Sequence, residues 1–217
     1  MRMNLLILAA VLPGISGCGK LAAVQGSGNI TTEKREAAAF SKVEAGGAVS
    51  VVLTVGDPTS VEVTTDDNLQ SHILTSVEGD TLKIRMIGSI SSTKGLTISV
   101  RTPTLTDLGV SGASSVKVAG VKGAAFSLNL SGASKATVSG QVKELEVECS
   151  GASHVETKGL DAEKVQASAS GASTIEVKAS RELDGTASGA STILYTGGPS
   201  KLTTNFSGAS SIKAAGS

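Results

Sequence analysis

Aromatic residues are scarce in this chain of 217 residues, which has no Trp, one Tyr and three Phe. A hydrophobic core must therefore consist of Val, Ile, Leu and Ala. The β-branched members of this set, together with 26 Gly residues, favour short strands joined by tight turns. The scarcity of aromatics also argues against a polysaccharide-cleaving enzyme, whose sugar sites usually include aromatic platforms.

The chain has no net charge, because 19 Lys and Arg residues balance 19 Asp and Glu residues. This balance argues against a nucleic-acid partner, which requires a basic face. Cysteine is equally scarce, since only Cys18 and Cys149 are present. If Cys18 is modified, no intramolecular disulfide can form, and packing and hydrogen bonds alone must stabilise the fold.

Residues 1–17 predict the signal peptide of an exported bacterial lipoprotein. The apolar run LLILAAVLPGI is too short to span a membrane, and Ile15-Ser16-Gly17-Cys18 follows from its end. This tetrapeptide resembles the bacterial lipobox, which implies cleavage before Cys18 and acylation of its sulfur. Several acyl chains then anchor the protein in the cell envelope, and Gly19 favours the outer membrane. The alternative interpretation is an ordinary signal peptide with a chance cysteine.

The remaining chain divides into a tether and one domain. Residues 18–36 are small, polar and charged, and predict a lipidated tether that leads into a first strand. Residues 37–217 predict a single β-helical domain, whose N-terminal portion is rich in strands and has one short helix at 66–74. Alternating apolar and polar residues predict strands at 50–56, 60–65 and 95–103, and a hairpin at 76–86.

From about residue 105 the tetrapeptide Ser-Gly-Ala-Ser recurs six times. Its copies begin at residues 111, 131, 150, 170, 188 and 207. Intervals of 18 to 20 residues, with apolar residues at every second position, are typical of a β-solenoid. The sequence therefore predicts an all-β fold, a β-solenoid or β-helix with coils of about 19 residues.

Alignment of the coils on this tetrapeptide places apolar residues in columns on both of its sides. The columns before it are Leu108/Val110, Leu128/Leu130, Val147/Cys149, Ala167/Ala169, Gly185/Ala187 and Thr204/Phe206. Those after it are Val116/Val118, Ala136/Val138, Val155/Thr157, Ile175/Val177, Ile193/Tyr195 and Ile212/Ala214. We expect these side chains, including Phe126, Tyr195 and Phe206, to point into the core.

The tetrapeptide suits a bend that recurs at the same place in every coil. Stacked coils lie about 4.8 Å apart, so that a bulky residue at a bend would collide with the coil above it. Glycine adopts backbone angles that other residues avoid, and the serine hydroxyls can bond to backbone groups or to the serine above. Strict alternation would place Gly112 and Ser114 inward, whereas a true corner would break this alternation.

These features together resemble a known family, the putative auto-transporter adhesin domain that is also called the head GIN domain. The matching segments are GSGNITTEKREAAAFSKVEAGGAVSVVLTVGD (26–57), VEVTTDDNLQSHILTSVEGDTLKI (61–84), ISVRTPTLTDLGVSGAS (98–114) and the later SGAS copies. The resemblance implies an exported bacterial protein with a β-helical fold, and many such proteins are lipoproteins. It implies no reaction, cofactor or catalytic residue.

Candidate chemical groups favour structural roles. His72 and His154 are distant in sequence and lack metal-ligand spacing, so they predict no metal site. Cys149 stands in an apolar column and predicts a small core residue. The six SGAS serines lack the context of a nucleophile. Asp66 and Asp67 suit a helix cap or turn better than a calcium site.

Four functions remain open at this point. The first is a non-enzymatic envelope lipoprotein whose β-solenoid presents a surface to a glycan, a protein or another copy of itself. The second is a structural module that self-associates, because the last coil lacks an obvious cap and so offers unpaired backbone groups. An ice-binding protein needs flat outward ranks of Thr, whereas the outward residues here are mixed and charged. The fourth is a polysaccharide-active enzyme of β-helical fold.

Overall fold

Alternating apolar and polar residues form seventeen strands and one 3₁₀ helix in the computed structural model, which describes residues 23–215. The N-terminal strands are β1 (Val24–Gln25), β2 (Ile30–Arg35), β3 (Lys42–Gly46), β4 (Ser50–Val55), β5 (Ser60–Asp66), β6 (Ile73–Glu78), β7 (Thr81–Met86), β8 (Ile90–Ser91) and β9 (Thr97–Thr102); the helix covers Asp67–His72. The repeat contains β10 (Asp107–Val110), β11 (Ser115–Leu130), β12 (Lys135–Cys149), β13 (His154–Ala169), β14 (Thr174–Ala187), β15 (Thr192–Thr196), β16 (Lys201–Phe206) and β17 (Ser211–Ala214). Among these residues, no helix has the length and apolar character that crossing a membrane requires.

The strands form a β-solenoid of about five turns, which confirms the predicted fold. Its first wall is the ladder β6-β7-β3-β10-β11-β12-β13-β14-β16. Its second wall is the ladder β2-β5-β9-β4-β11-β12-β13-β14-β15-β17. The long strands β11 to β14 bend and contribute to both walls. Antiparallel pairs occur only at the N-terminal ends of these two ladders.

The predicted register of the coils is confirmed residue by residue. Leu108 pairs with Leu128, and the same column continues through Val147, Ala167, Gly185 and Thr204. The column after the tetrapeptide runs through Val116, Ala136, Val155, Ile175, Ile193 and Ile212. Inward members of both columns fill one largely aliphatic core, in which Phe40 and Phe126 are the buried aromatic side chains among the described residues.

The SGAS tetrapeptides stack in one file at the bend between the walls. Each glycine has a left-handed φ, +77° at Gly132 and +74° at Gly151, and each alanine N–H donates to the glycine carbonyl one coil earlier. Because the glycine turns the chain, strict alternation breaks at this bend. Ser114 is buried, 1% exposed, as strict alternation predicts, whereas Gly112 is exposed, as a true corner allows.

A further coil precedes the first SGAS. Gly46-Gly47-Ala48-Val49 occupies the same bend one level earlier, where Gly47 has a φ of +103° and accepts a 2.7 Å hydrogen bond from the Ala113 N–H. Val49, 2% exposed, takes the buried place of the last serine. The repeat therefore begins about 65 residues earlier along the chain than the SGAS pattern indicates, because the five strands β5 to β9 intervene in sequence.

The strand-rich domain also begins earlier than residue 37. Strand β2 pairs in antiparallel fashion with β5, and the Arg35 guanidinium donates to the Gln70 backbone carbonyl at 3.0 Å. The entry strand expected after the tether in residues 18–36 is therefore β2, which already belongs to the domain. The alternating side chains of ITTEKR let this segment extend the second wall as its outermost strand.

The 3₁₀ helix covers the N-terminal end of the core. Leu69 is fully buried, and Gln70 donates from Nε2 to the carbonyls of Thr31 (3.1 Å) and Val63 (3.2 Å). The expected short helix is thus present with Asp66 at its N-cap position, but the Asp66 carboxylate makes no capping bond to the helix. That carboxylate faces donors from two distant segments instead.

At the other end of the solenoid, no later coil covers the last one within residues 23–215. All six residues of β16 are exposed, and Phe206 is 64% exposed. The prediction that Phe206 lies in the core is therefore wrong. Its column is inward, yet no later coil within the described residues covers it. Tyr195, one coil earlier, is partly buried against the core.

Candidate binding groove

A groove of about 770 Å³ runs along the outer face of the first wall, beside the file of SGAS bends. It crosses six strands, from β7 through β3, β10, β11 and β12 to β13. Five strand spacings of about 4.8 Å make the groove about 24 Å long. The groove therefore offers an extended ligand a surface that repeats once per coil.

Two columns of outward residues line this groove. The first contains Glu44, Gly109, Asn129, Glu148 and Ser168, which are paired across adjacent strands. The second contains Gly46 and the first serine of four consecutive tetrapeptides, Ser111, Ser131, Ser150 and Ser170. The lining is thus a regular array of hydroxyl, amide and carboxylate groups, which can both donate and accept hydrogen bonds.

Gly109 leaves a gap in the first column. Its φ is not in the left-handed region, and a Cβ at this position would meet Glu44 Cγ at an ordinary 3.6 Å. The backbone therefore does not require glycine here. The glycine keeps the space between Glu44 and Asn129 open. The sequence pattern does not reveal this role, because a glycine within a strand indicates only that the strand is weak.

The charges of the groove are unevenly placed. Glu44 and Glu148 expose their carboxylates in the first column, whereas Arg85 lies at the N-terminal end of the groove on β7. The middle of the groove therefore favours neutral or cationic ligands over anionic ones.

A second depression of about 390 Å³ lies on the same wall, farther from the bend. Several of its charged residues have partners: Lys164 Nζ lies 3.3 Å from Glu144 Oε1, and Glu182 pairs with Lys201 of the next coil. The hydrogen bond from Lys201 lowers the pKa of the Glu182 carboxyl. These exposed pairs form rungs between coils.

The structure does not bring the two histidines together. His72 ends the 3₁₀ helix, and its Nδ1 lies 3.1 Å from the Ile87 carbonyl oxygen. His154 begins β13 in the middle of the second wall. Among residues 23–215, no group of three or more His, Cys, Asp or Glu side chains has an arrangement that can hold a metal ion.

Cys149 is a core residue, as predicted. Its side chain is 3% exposed within the aliphatic core, and burial raises the pKa of its thiol. A raised pKa keeps the thiol protonated at neutral pH, and a protonated thiol is a poor nucleophile.

The last serine of each tetrapeptide has a structural role. The Ser153 hydroxyl donates to the carbonyls of Ser150 (2.8 Å) and of Gly132 in the previous coil (3.2 Å). Equivalent bonds recur at Ser134, Ser173, Ser191 and Ser210. The predicted acceptors of the serine hydroxyls were backbone groups or the serine above, and in the structure these hydroxyls donate to backbone carbonyls.

Asp66 joins the N-terminal segment to the loop after β8. Its fully buried carboxylate accepts hydrogen bonds from the Ser92 hydroxyl (2.6 Å), the Thr93 hydroxyl (2.7 Å) and N–H (3.1 Å), and the Gly28 N–H (2.8 Å). These bonds, led by that of Ser92, hold the pKa of Asp66 well below its usual range. Donor groups thus surround this carboxylate, which fits a structural clasp. The predicted lipidation site, Cys18, lies outside the described residues.

Comparison with known proteins identifies relatives of the fold. A family model described as "putative auto-transporter adhesin, head GIN domain" matches residues 39–199. No curated protein matches the chain. A solved putative adhesin from Bacteroides fragilis NCTC 9343 is 20% identical, with a TM-score of 0.73 over 89% of this chain and 100% of its own.

Two further solved structures share the fold at lower similarity. A putative adhesin from Parabacteroides merdae ATCC 43184 is 16% identical, with a TM-score of 0.58 over 89% of this chain and 99% of its own. A putative lipid binding protein from Parabacteroides distasonis ATCC 8503 is 20% identical, with a TM-score of 0.55 over 90% of this chain and 100% of its own. Identities this low establish a common fold and no common ligand.

Proposed function

The chain belongs to the "putative auto-transporter adhesin, head GIN domain" family, and from this premise we propose that it is a non-enzymatic, adhesin-like lipoprotein of the bacterial cell envelope. Residues 1–17 are its signal peptide, and acylated Cys18 anchors it in the outer membrane. The β-solenoid then presents the groove of the first wall to a polysaccharide. A separate tether, shorter than predicted, links the anchor to the domain.

The lipobox-like tetrapeptide Ile15-Ser16-Gly17-Cys18 supports the anchor. Mass spectrometry of the mature protein tests it, because acylation adds the mass of several fatty chains to an N-terminal Cys18. A Cys18→Ala chain that is expressed without residues 1–17 is expected to lack acyl chains and to remain in the soluble fraction. A mature N-terminus at another residue, without acyl chains, would contradict the anchor. Separation of the two membranes by density then tests the outer-membrane location.

The groove is the observation that carries the proposed binding role. It combines an extended shape with regularly spaced hydroxyl, amide and carboxylate groups, such as Asn129, Glu148 and Ser131. Sugar hydroxyls both donate and accept hydrogen bonds, so that they match this lining. Because Glu44 and Glu148 are acidic, we expect neutral or amino-sugar polysaccharides to bind in preference to polymers of uronic acids.

A glycan array probed with the mature lipoprotein in detergent tests this role. The Gly109→Val variant fills the groove and is expected to lower the affinity for a bound neutral or amino-sugar glycan by about tenfold or more. Gly123→Val is a matched control, since Gly123 is exposed, lies outside the groove and has room for a side chain. Equal binding by both variants would contradict the groove as the site. Cleavage of the glycan would instead favour the polysaccharide-active enzyme.

The open last coil supports a second candidate function, self-association. Leu202 and Phe206 are 46% and 64% exposed on the strand β16, whose outer backbone groups have no partner strand among the described residues. Exposed strand edges with apolar side chains favour pairing with another chain. Analytical ultracentrifugation is expected to show a dimer that Phe206→Ser weakens. A protein that is monomeric at all concentrations tested would contradict this candidate.

A further inference from the structure

Three of the six large, exposed apolar side chains in the described residues lie at the N-terminal end of the solenoid. They are Val24, Leu74 and Ile87, which are 39%, 48% and 51% exposed. Single exposed apolar residues are common on protein surfaces, whereas a group of them marks a site of contact.

Strand pairing places Leu74 and Ile87 diagonally across β6 and β7, with His72 opposite Ile87. Leu74 of β6 pairs with Arg85 of β7, and the Ile87 N–H donates to the His72 carbonyl at 2.8 Å, which continues the same ladder. Side chains two positions apart on a strand share one face, so that Leu74, Arg85 and Ile87 all point away from the core. Val24 joins this group, because its N–H donates at 2.8 Å to the carbonyl of Ser89, two residues beyond Ile87.

A cation accompanies this apolar group. Arg85 is exposed and, within residues 23–215, forms no ion pair, whereas its neighbour Lys83 pairs with Glu78 at 2.6 Å. Aliphatic side chains beside an unpaired arginine match the border between the acyl chains and the phosphate groups of a lipid layer.

The position of the anchor specifies what this surface meets. Val24 follows Cys18 by six residues, which span at most about 20 Å when fully extended. The open end of the first wall lies seven strand spacings from β7, about 34 Å away. An acylated Cys18 therefore holds the end that carries Val24, Leu74 and Ile87 against the bilayer and leaves the β16 end farther out.

We propose that Val24, Leu74, Ile87 and Arg85 form a membrane-docking surface, which seats the N-terminal corner of the solenoid on the phospholipid layer that holds the anchor. This inference rests on the proposed acylation of Cys18. It gives the protein a fixed orientation, in which the docking surface contacts the lipid and the coil that contains β16 lies farthest from the membrane.

The absence of Trp from the chain makes a direct test possible. Leu74→Trp and Ile87→Trp each place the only Trp on the docking surface, and Val52→Trp places it at a site of similar exposure, 43%, on the second wall. Each mature lipoprotein is reconstituted into vesicles of phosphatidylcholine and phosphatidylglycerol whose acyl chains carry bromine, which quenches Trp fluorescence at close range.

We expect the Trp at position 87 or 74 to be quenched at least about twofold more strongly than the Trp at position 52, because docked apolar residues reach the acyl boundary. Circular dichroism confirms that each variant folds, and two docking positions guard against the failure of one. Equal, weak quenching at positions 74, 87 and 52 in an acylated protein would overturn the docking surface.

Failure of the anchor itself has a different signature. Mass spectrometry of the same samples reports acylation at Cys18 independently of the fluorescence. The Cys18→Ala chain mixed with the brominated vesicles then isolates the surface. Weak binding that Leu74→Ser and Ile87→Ser reduce supports docking without an anchor. If Cys18 is acylated but the Trp at position 87 is not quenched in the lipoprotein or in the Cys18→Ala chain, docking is rejected while the lipoprotein proposal stands.

Discussion

Replacement of Gly151 by Ala tests whether the stacking of the bends, rather than their local conformation alone, selects glycine. Gly151 has a φ of +74°, and an added Cβ would lie 2.5 Å from the Gly132 carbonyl oxygen one coil earlier. That oxygen already accepts hydrogen bonds from the Ala152 N–H (2.8 Å) and the Ser153 hydroxyl (3.2 Å). It cannot move away without lengthening both bonds.

The expected magnitude is the sum of two costs. A left-handed conformation costs a residue with a side chain about 1–2 kcal/mol. Relief of a contact at 2.5 Å between two backbones in a packed stack costs about 1–3 kcal/mol more. We therefore expect Gly151→Ala to lower the free energy of unfolding by about 2–5 kcal/mol.

Gly79→Ala is the matched control. Gly79 has a similar φ of +63° at the tip of the β6–β7 hairpin, but nothing lies within 4 Å of its added Cβ. It pays only the conformational cost, about 1–2 kcal/mol. Urea unfolding followed by far-ultraviolet circular dichroism measures both, with the slope of each transition as a check that the same surface is exposed. Equal losses in the two variants would refute the stacking argument.

Three further predictions concern buried polar and titratable groups. Ser153→Ala removes two hydrogen bonds from a hydroxyl that is 2% exposed and should lower the free energy of unfolding by about 1 kcal/mol in urea titrations. Because the pKa of Asp66 is lower in the folded than in the unfolded chain, its ionised carboxylate stabilises the fold above a pH of about 4. The melting temperature should therefore fall as the pH drops below this value. The Asp66→Asn variant should be less stable at neutral pH and should lose part of this pH dependence. In the Cys18→Ala chain, Cys149 should react with a disulfide reagent only after unfolding, because its thiol is buried and its pKa is raised; rapid reaction of the native protein would contradict this.

The repeat could be predicted from the sequence because each coil must stack on its neighbour in one register. The columns of Leu108 and Val116 follow directly from the spacing of the tetrapeptides. The coil at Gly46–Val49 could not be predicted, since Val49 replaces the serine that defines the pattern and five strands intervene before the next coil. The solenoid continues through this substitution because either side chain fills the buried place at the bend.

The clasp at Asp66 could not be predicted from local pattern. Its donors belong to residues 38 positions earlier and 26 to 27 positions later in the chain. An aspartate before a short helix suits a cap equally well by spacing alone. Only the folded arrangement, which pairs β1 with β8 beside this carboxylate, decides between the two roles.

The glycine and the last serine of each tetrapeptide stabilise the bend, whereas the side chain of the first serine lines the groove. Glycine and the last serine face the stack: the glycine carbonyl and the serine hydroxyl bond between coils, and their side-chain space is closed. The first serine contributes its carbonyl to this network, as Ser150 does to Ser153, while its side chain lines the groove. A rigid file of bends therefore fixes the spacing of the hydroxyl groups that a ligand meets. Because stacking restrains the backbone before a ligand arrives, binding in this groove costs less conformational entropy than binding to a mobile loop would.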